Sequence, residues 1–121
     1  MFLGLRTAIY AAPNLDAAKK WYTDILGFPP YFDEPFYVGF NVGGYELGLD
    51  PDAPPKGEGG VTLYWGVENI QQAFARLLEH GAVEHSPIQN VGGSLFVATL
   101  TDPFGNVLGI IENPDFTLPV G

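Results

Sequence analysis

One carboxylate stands where it could do chemistry. It is Glu46, in the run Tyr45-Glu46-Leu47-Gly48-Leu49-Asp50. Apolar Tyr45, Leu47 and Leu49 alternate with Glu46, Gly48 and Asp50, which is the period of a strand with one apolar face. An acid so placed lies on a solvated or cavity-lining face. Raised in pKa by burial, it becomes a general base; kept ionised, it pairs with a cationic group of a ligand. The two histidines, His80 and His85, sit beside Glu79 and Glu84. Their five-residue spacing runs across a helix stop and matches no metal-ligand pair, so a surface location is expected. The chain has no cysteine, which removes disulfides, thiolate metal sites and a cysteine nucleophile. Ser86 and Ser94 are the only serines, and neither occupies a sharp strand-to-helix turn. No glycine cluster opens a helix after a strand in the spacing that cradles phosphate.

The elements that must position these residues come in two similar runs. Leu5 to Ala12 is short and apolar and reads as a strand, closed by Pro13. Asn14 is a helix N-cap, and Leu15, Ala18, Tyr22, Ile25 and Leu26 recur at helical spacing until Gly27. Val61 to Val67 reads as a second strand. Asn69 caps a second helix, with Gln72 three residues on as in a capping box. Ile70, Ala73, Phe74, Leu77 and Leu78 form its stripe, and Gly81 stops it. Thr62, Asn69, Ile70 and Ala73 repeat Thr7, Asn14, Leu15 and Ala18 at one constant offset, the mark of an internal repeat.

Strand-like segments follow each helix. Tyr31 to Val42 and Tyr45 to Asp50 meet at Gly43-Gly44. Val83 to Asn90, Ser94 to Thr101 and Val107 to Glu112 are separated by glycine-rich and Asp-Pro turns. The order is therefore β-α-β-β-β twice, an α+β fold with helices on the outer face of two curved mixed sheets. The 121 residues form one domain. Module one covers about 1–50, a Pro- and Gly-rich linker 51–60, module two 61–113, and a tail 114–121.

Composition narrows the partners. Five basic residues stand against 14 acidic ones, a formal net charge of -9. Such a surface repels phosphate backbones and anionic membranes, so neither nucleic acid nor a membrane is an expected partner. The excess of acid serves solubility or attracts cationic ligands. No apolar run is long enough to span a bilayer and no signal peptide is read, so a cytoplasmic location is expected.

The strand leading into Asn14 to Phe28, the segment Gly66 to Ala82, and the hairpin Asp102 to Pro114 together resemble the vicinal oxygen chelate superfamily. This is the group of glyoxalases, bleomycin-resistance proteins and ring-cleaving dioxygenases. The resemblance covers almost the whole chain and implies two βαβββ modules whose sheets surround a cavity. It also implies a divalent metal in many members, held by first-strand histidines and last-strand carboxylates. In this chain those positions read Thr7, Glu46, Thr62 and Gly109. Only Glu46 is an ordinary metal ligand, and three or four N, O or S donors are needed. Glu112 lies an odd offset from Gly109 and points to the other face. No metal or other cofactor is therefore expected, with a divalent metal in a rearranged site left open.

The resemblance further implies that Thr7, Ile9, Glu46, Gly48, Thr62, Tyr64, Gly109 and Ile111 line the cavity. Tyr10 and Trp65 then face the helices. Gly48 and Gly109 are expected to leave room for a ligand, or to serve strand curvature. Two functions follow. The first is a small-molecule binding protein like the drug-binding members, taking a cationic or aromatic ligand. The second is a lyase or isomerase using Glu46 as base or a rearranged metal site. A homodimer is implied by resemblance alone.

Overall fold

The structure, a computed structural model, describes residues 5–53 and 62–115. Most of the expected linker 51–60 and tail 114–121 lies outside the described residues. The chain divides into two compact units, Met1–Gly57 with Phe104–Asn106, and Glu58–Pro103 with Val107–Gly121.

The first unit contains β1 (Thr7–Ala11), α1 (Leu15–Leu26), β2 (Phe32–Glu34), β3 (Tyr37–Val42) and β4 (Tyr45–Asp50). Its sheet runs β1-β4-β3-β2, with β1 parallel to β4 and the other pairs antiparallel. The Asn14 side chain accepts the Ala17 N–H at 3.1 Å and so starts α1. Gly27 ends it in the left-handed region at φ 84°, its N–H donating to the Thr23 carbonyl at 2.9 Å. Ala18 and Tyr22 turn inward, and the Tyr22 ring lies 6.1 Å from that of Tyr10 on β1. Val38, Phe40, Leu47 and Leu49 complete this core, each 2% exposed or less. Each such side chain contributes about 1.5–3 kcal/mol by leaving water. Asn106 is buried in the same unit. Its amide accepts the Ala11 N–H at 3.0 Å and donates to the Ala11 carbonyl at 2.9 Å, satisfying a backbone pair at the end of β1.

The second unit repeats the plan with β5 (Tyr64–Gly66), α2 (Ile70–Glu79), β6 (Val83–Gly92), β7 (Leu95–Thr101) and β8 (Val107–Glu112). Its sheet runs β5-β8-β7-β6, again with one parallel pair, β5 to β8. The Asn69 side chain accepts the Gln72 N–H at 3.0 Å. Glu112 reaches back to accept the Ile70 N–H at 2.8 Å, so a second orphan donor of the helix start is met. Glu112 therefore lies on the helix side of its sheet, as its odd offset from Gly109 requires. Ile70, Leu77, Ala98, Leu100, Leu108 and Ile110 are buried as the core.

The α+β class and the duplicated order are those read from the sequence. Several strand bounds differ. β1 is Thr7–Ala11 rather than Leu5 to Ala12, because β4 offers it partners only over Glu46–Asp50. β5 shrinks to Tyr64–Gly66 because it pairs only with Gly109–Ile111. The segment Tyr31 to Val42 holds two strands, the first two of the three that follow α1. β2 ends before Pro35, which has no N–H to give a ladder, and β3 begins at Tyr37. No helix among the described residues is long and apolar enough to cross a membrane.

Candidate functional site

The face of the first sheet opposite α1 carries the strongest polar constellation. Strand alternation puts Thr7 and Ile9 of β1, Glu46 and Gly48 of β4, and Tyr37, Gly39 and Asn41 of β3 on that face. The register sets Thr7 and Asn41 on either side of Glu46, and Ile9 and Gly39 on either side of Gly48. Glu46 is thus central, and its carboxylate collects three hydroxyls. Thr7 Oγ1 donates to Oε2 at 2.9 Å and the Tyr37 phenol donates to the same oxygen at 2.6 Å. The Tyr31 phenol donates to Oε1. Tyr31 precedes β2 and is fixed there by its N–H, which donates to the Gly39 carbonyl at 3.0 Å.

Glycines make this reach possible. A Cβ on Gly48 would stand 1.8 Å from the Tyr37 hydroxyl, and one on Gly39 would stand 2.9 Å from Glu46 Oε1. Tyr37 and Glu46 cross a floor kept bare by Gly39 and Gly48. This corrects the expectation that Gly48 leaves room for a ligand, since the Tyr37 side chain occupies that room. Gly109 is corrected likewise. Its Cβ would meet the Leu63 carbonyl oxygen at 2.5 Å and the Tyr64 ring at 2.7 Å, so close backbone and ring approach, not ligand space, requires glycine there.

The hydroxyls decide the charge state. Hydrogen bonds from Tyr31 and then Tyr37 hold the Glu46 carboxyl below its ordinary value, with Thr7 adding to the effect and burial opposing it. Burial, and then the bond to Glu46, push the Tyr37 phenol up to about 12. The bond to Glu46 also raises Tyr31. The cluster at neutral pH is therefore one carboxylate ringed by protonated hydroxyls. A carboxylate stabilised in this way is a poor proton acceptor and a fixed negative charge. Beside it lies a concavity of about 350 Å³ lined by Arg6, Thr7, Tyr31, Asn41, Gly44, Tyr45 and Glu46. A larger hollow of about 720 Å³, between the start of α1 and the β2–β3 turn, has its Lys19 engaged with Asp33 at 3.1 Å.

In the second unit Tyr64, Gly109 and Ile111 share the face opposite α2, with the exposed Thr62 just ahead of β5. The register pairs Gly109 with Tyr64 as Gly48 pairs with Ile9. Tyr64 repeats Ile9, so Gly109 is the counterpart of Gly48. The repeat position of Glu46 in the second sheet is then Val107, which has no donor atom. The two histidines diverge. His80 Nδ1 is 2.9 Å from the Arg76 carbonyl, and His85 Nδ1 is 2.8 Å from Thr99 Oγ1, which brings His85 to the face that carries Gly109. Register shifts on either side of Ser86, next to Pro87, redirect this strand. His85 is exposed, as the sequence led one to expect, and only its contact with Thr99 was not foreseen. Sequence reasoning missed Tyr31 and Tyr37. The available signal was the alternation of Tyr37 with Gly39, opposite a strand carrying Gly48.

A family profile described as the Glyoxalase/Bleomycin resistance protein/Dioxygenase superfamily matches residues 4–110. The chain belongs to this superfamily. No curated protein matches the sequence significantly. Among solved structures, a glyoxalase-related enzyme from Fulvimarina pelagi is similar with a TM-score of 0.76 at 18% identity, covering 98% of this chain and 94% of that one. A lactoylglutathione lyase from Agrobacterium tumefaciens gives 0.73 at 17% identity, over 98% and 100% of the two chains. A glyoxalase/bleomycin resistance protein from Albidiferax ferrireducens T118 gives 0.71 at 22% identity, over 90% and 98%. At these identities the likeness is one of fold.

Membership raises the question of the superfamily's metal. The donor chemistry does not fit one. Of the positions in question only Glu46 carries a carboxylate, and its oxygens already accept three hydroxyl hydrogens. No group of three or more His, Asp or Glu side chains among the described residues is placed to hold an ion.

Proposed function

We propose that this superfamily member is a small-molecule binding protein that receives a cationic, partly aromatic ligand at Glu46 without a metal. The observation that carries the proposal is the three-hydroxyl cradle, which keeps Glu46 ionised and therefore suited to pair with charge rather than to remove protons. Arg6 lines the same concavity but is not paired with Glu46 among the described residues. Its guanidinium donates to the Leu5 carbonyl at 3.3 Å. The exposed ring of Tyr31 supplies a face that attracts cations. The concavity of about 350 Å³ has the size of a small ligand site. The excess of acidic residues raises the local concentration of cations.

The test is a titration of chelator-treated protein with a cationic acridine dye and with a neutral analogue. The reading expects saturable binding of the cation at one site per chain, with at least about tenfold weaker binding by Glu46→Gln. Activity or binding that appears only after adding zinc, nickel, iron or manganese, at one metal per chain, would contradict it and support a metalloenzyme. Pairing of two chains belongs to the same reading through the superfamily. Sedimentation equilibrium at the mass of a single chain would remove that part.

A further inference from the structure

The way the hydroxyls fill Glu46 says what kind of cation suits it. A carboxylate offers about four lone-pair directions. Thr7 and Tyr37 take both on Oε2, and Tyr31 takes one of the two on Oε1. One acceptor direction is left. A primary ammonium brings three N–H donors and strong hydration. On Glu46 it would find one free acceptor direction, and its other donors would have to keep their water or turn to the hydroxyl oxygens. A quaternary ammonium has no N–H to satisfy and is weakly hydrated. It loses little on entering, and it gains from net charge and ring faces, neither of which needs a free lone pair.

The surroundings suit that chemistry. Tyr31 is 64% exposed, so its ring presents surface beside the charge it hydrogen-bonds. Ile9, 50% exposed on the same face, adds apolar surface next to Gly48. Both phenols spend their hydrogens on Glu46, and of the two the exposed Tyr31 ring is the one open to a ligand. Resting on the cation-site reading above, we infer that the preferred ligand class is an aromatic or alkyl quaternary ammonium, a cation without N–H donors.

The experiment is calorimetric titration of the intact chain with benzyltrimethylammonium, benzylammonium and neutral benzyl alcohol at pH 7. The quaternary ion is expected to bind about tenfold more tightly than the primary one. Tyr31→Phe, at an exposed position, frees a lone pair on Oε1 without touching the core. It is expected to strengthen benzylammonium binding and reduce the preference to about twofold or less. Equal or tighter binding of benzylammonium by the wild-type chain, lost in Glu46→Gln, would overturn the inference while the cation site stands. If neither cation binds better than benzyl alcohol, both the inference and the cation site fall. A preference unchanged by Tyr31→Phe would overturn the lone-pair argument.

Discussion

Glu46 and its hydroxyls form a unit whose titration has a definite sign. The folded-state pKa of Glu46 lies below its ordinary 4.5, so the cradle stabilises the fold above that value. The contribution is lost as the pH falls below 4.5 and through the folded value. Cation binding should therefore persist at pH 5 and fail only in stronger acid. Tyr37 behaves in the opposite sense. Its folded value of about 12 exceeds the ordinary 10.0, so its contribution is full below pH 10 and is lost as the pH rises through about 12. An ultraviolet titration of wild-type protein against Tyr37→Phe should assign one late-ionising phenol to Tyr37. Ionisation of that phenol near pH 10 would contradict the hydrogen-bonded geometry. The glycine floor makes a steric prediction. Gly48→Ala must displace the Tyr37 hydroxyl and should cost about 1–3 kcal/mol in urea unfolding. In the Tyr37→Phe background, where the hydroxyl is gone, the same substitution should cost less; an equal cost would place the clash elsewhere.

At the scale of elements, the amides that end strands and start helices hold the frame of each unit. Asn69→Ala should cost about 1 kcal/mol through the lost cap. Asn106→Ala should cost about 3 kcal/mol, since it strands both backbone groups of Ala11 in a buried place. Thermal or urea unfolding of the two variants checks the order, and a larger loss for Asn69→Ala would contradict it. These elements also show what a sequence can convey. Both helices were legible because cap, stripe and stop are local signals, and β4 and β8 because each carries its own alternation or turn. The ends of β1 and β5 were not, since each is cut to the few residues its partner strand offers. Glu46 was legible as a lone acid in an alternating strand. Tyr31 and Tyr37 were not, because the contact is made across strands and over two glycines. An aromatic residue in a strand reads first as core.

At the scale of the whole molecule, the duplication builds two sheets of the same order but concentrates polar chemistry unequally. The first carries Glu46, while the place of Glu46 in the second is Val107. The net charge of -9 favours cation capture over long range. Association with a cation should consequently slow as salt rises from about 0.01 to 0.15 M, where the screening length falls to about 8 Å. Stopped-flow rates measure this, and a salt-independent rate would show that the surface charge takes no part. The central claim, that Glu46 is an ionised acceptor for a ligand's positive charge, is tested most directly by carbon NMR of its carboxyl group. The titration is run with and without benzyltrimethylammonium. The midpoint is expected below 4.5 in the free protein and lower still with the cation bound, because binding and ionisation at one site must favour each other. A midpoint above 4.5, or one the cation leaves unmoved, would contradict that claim.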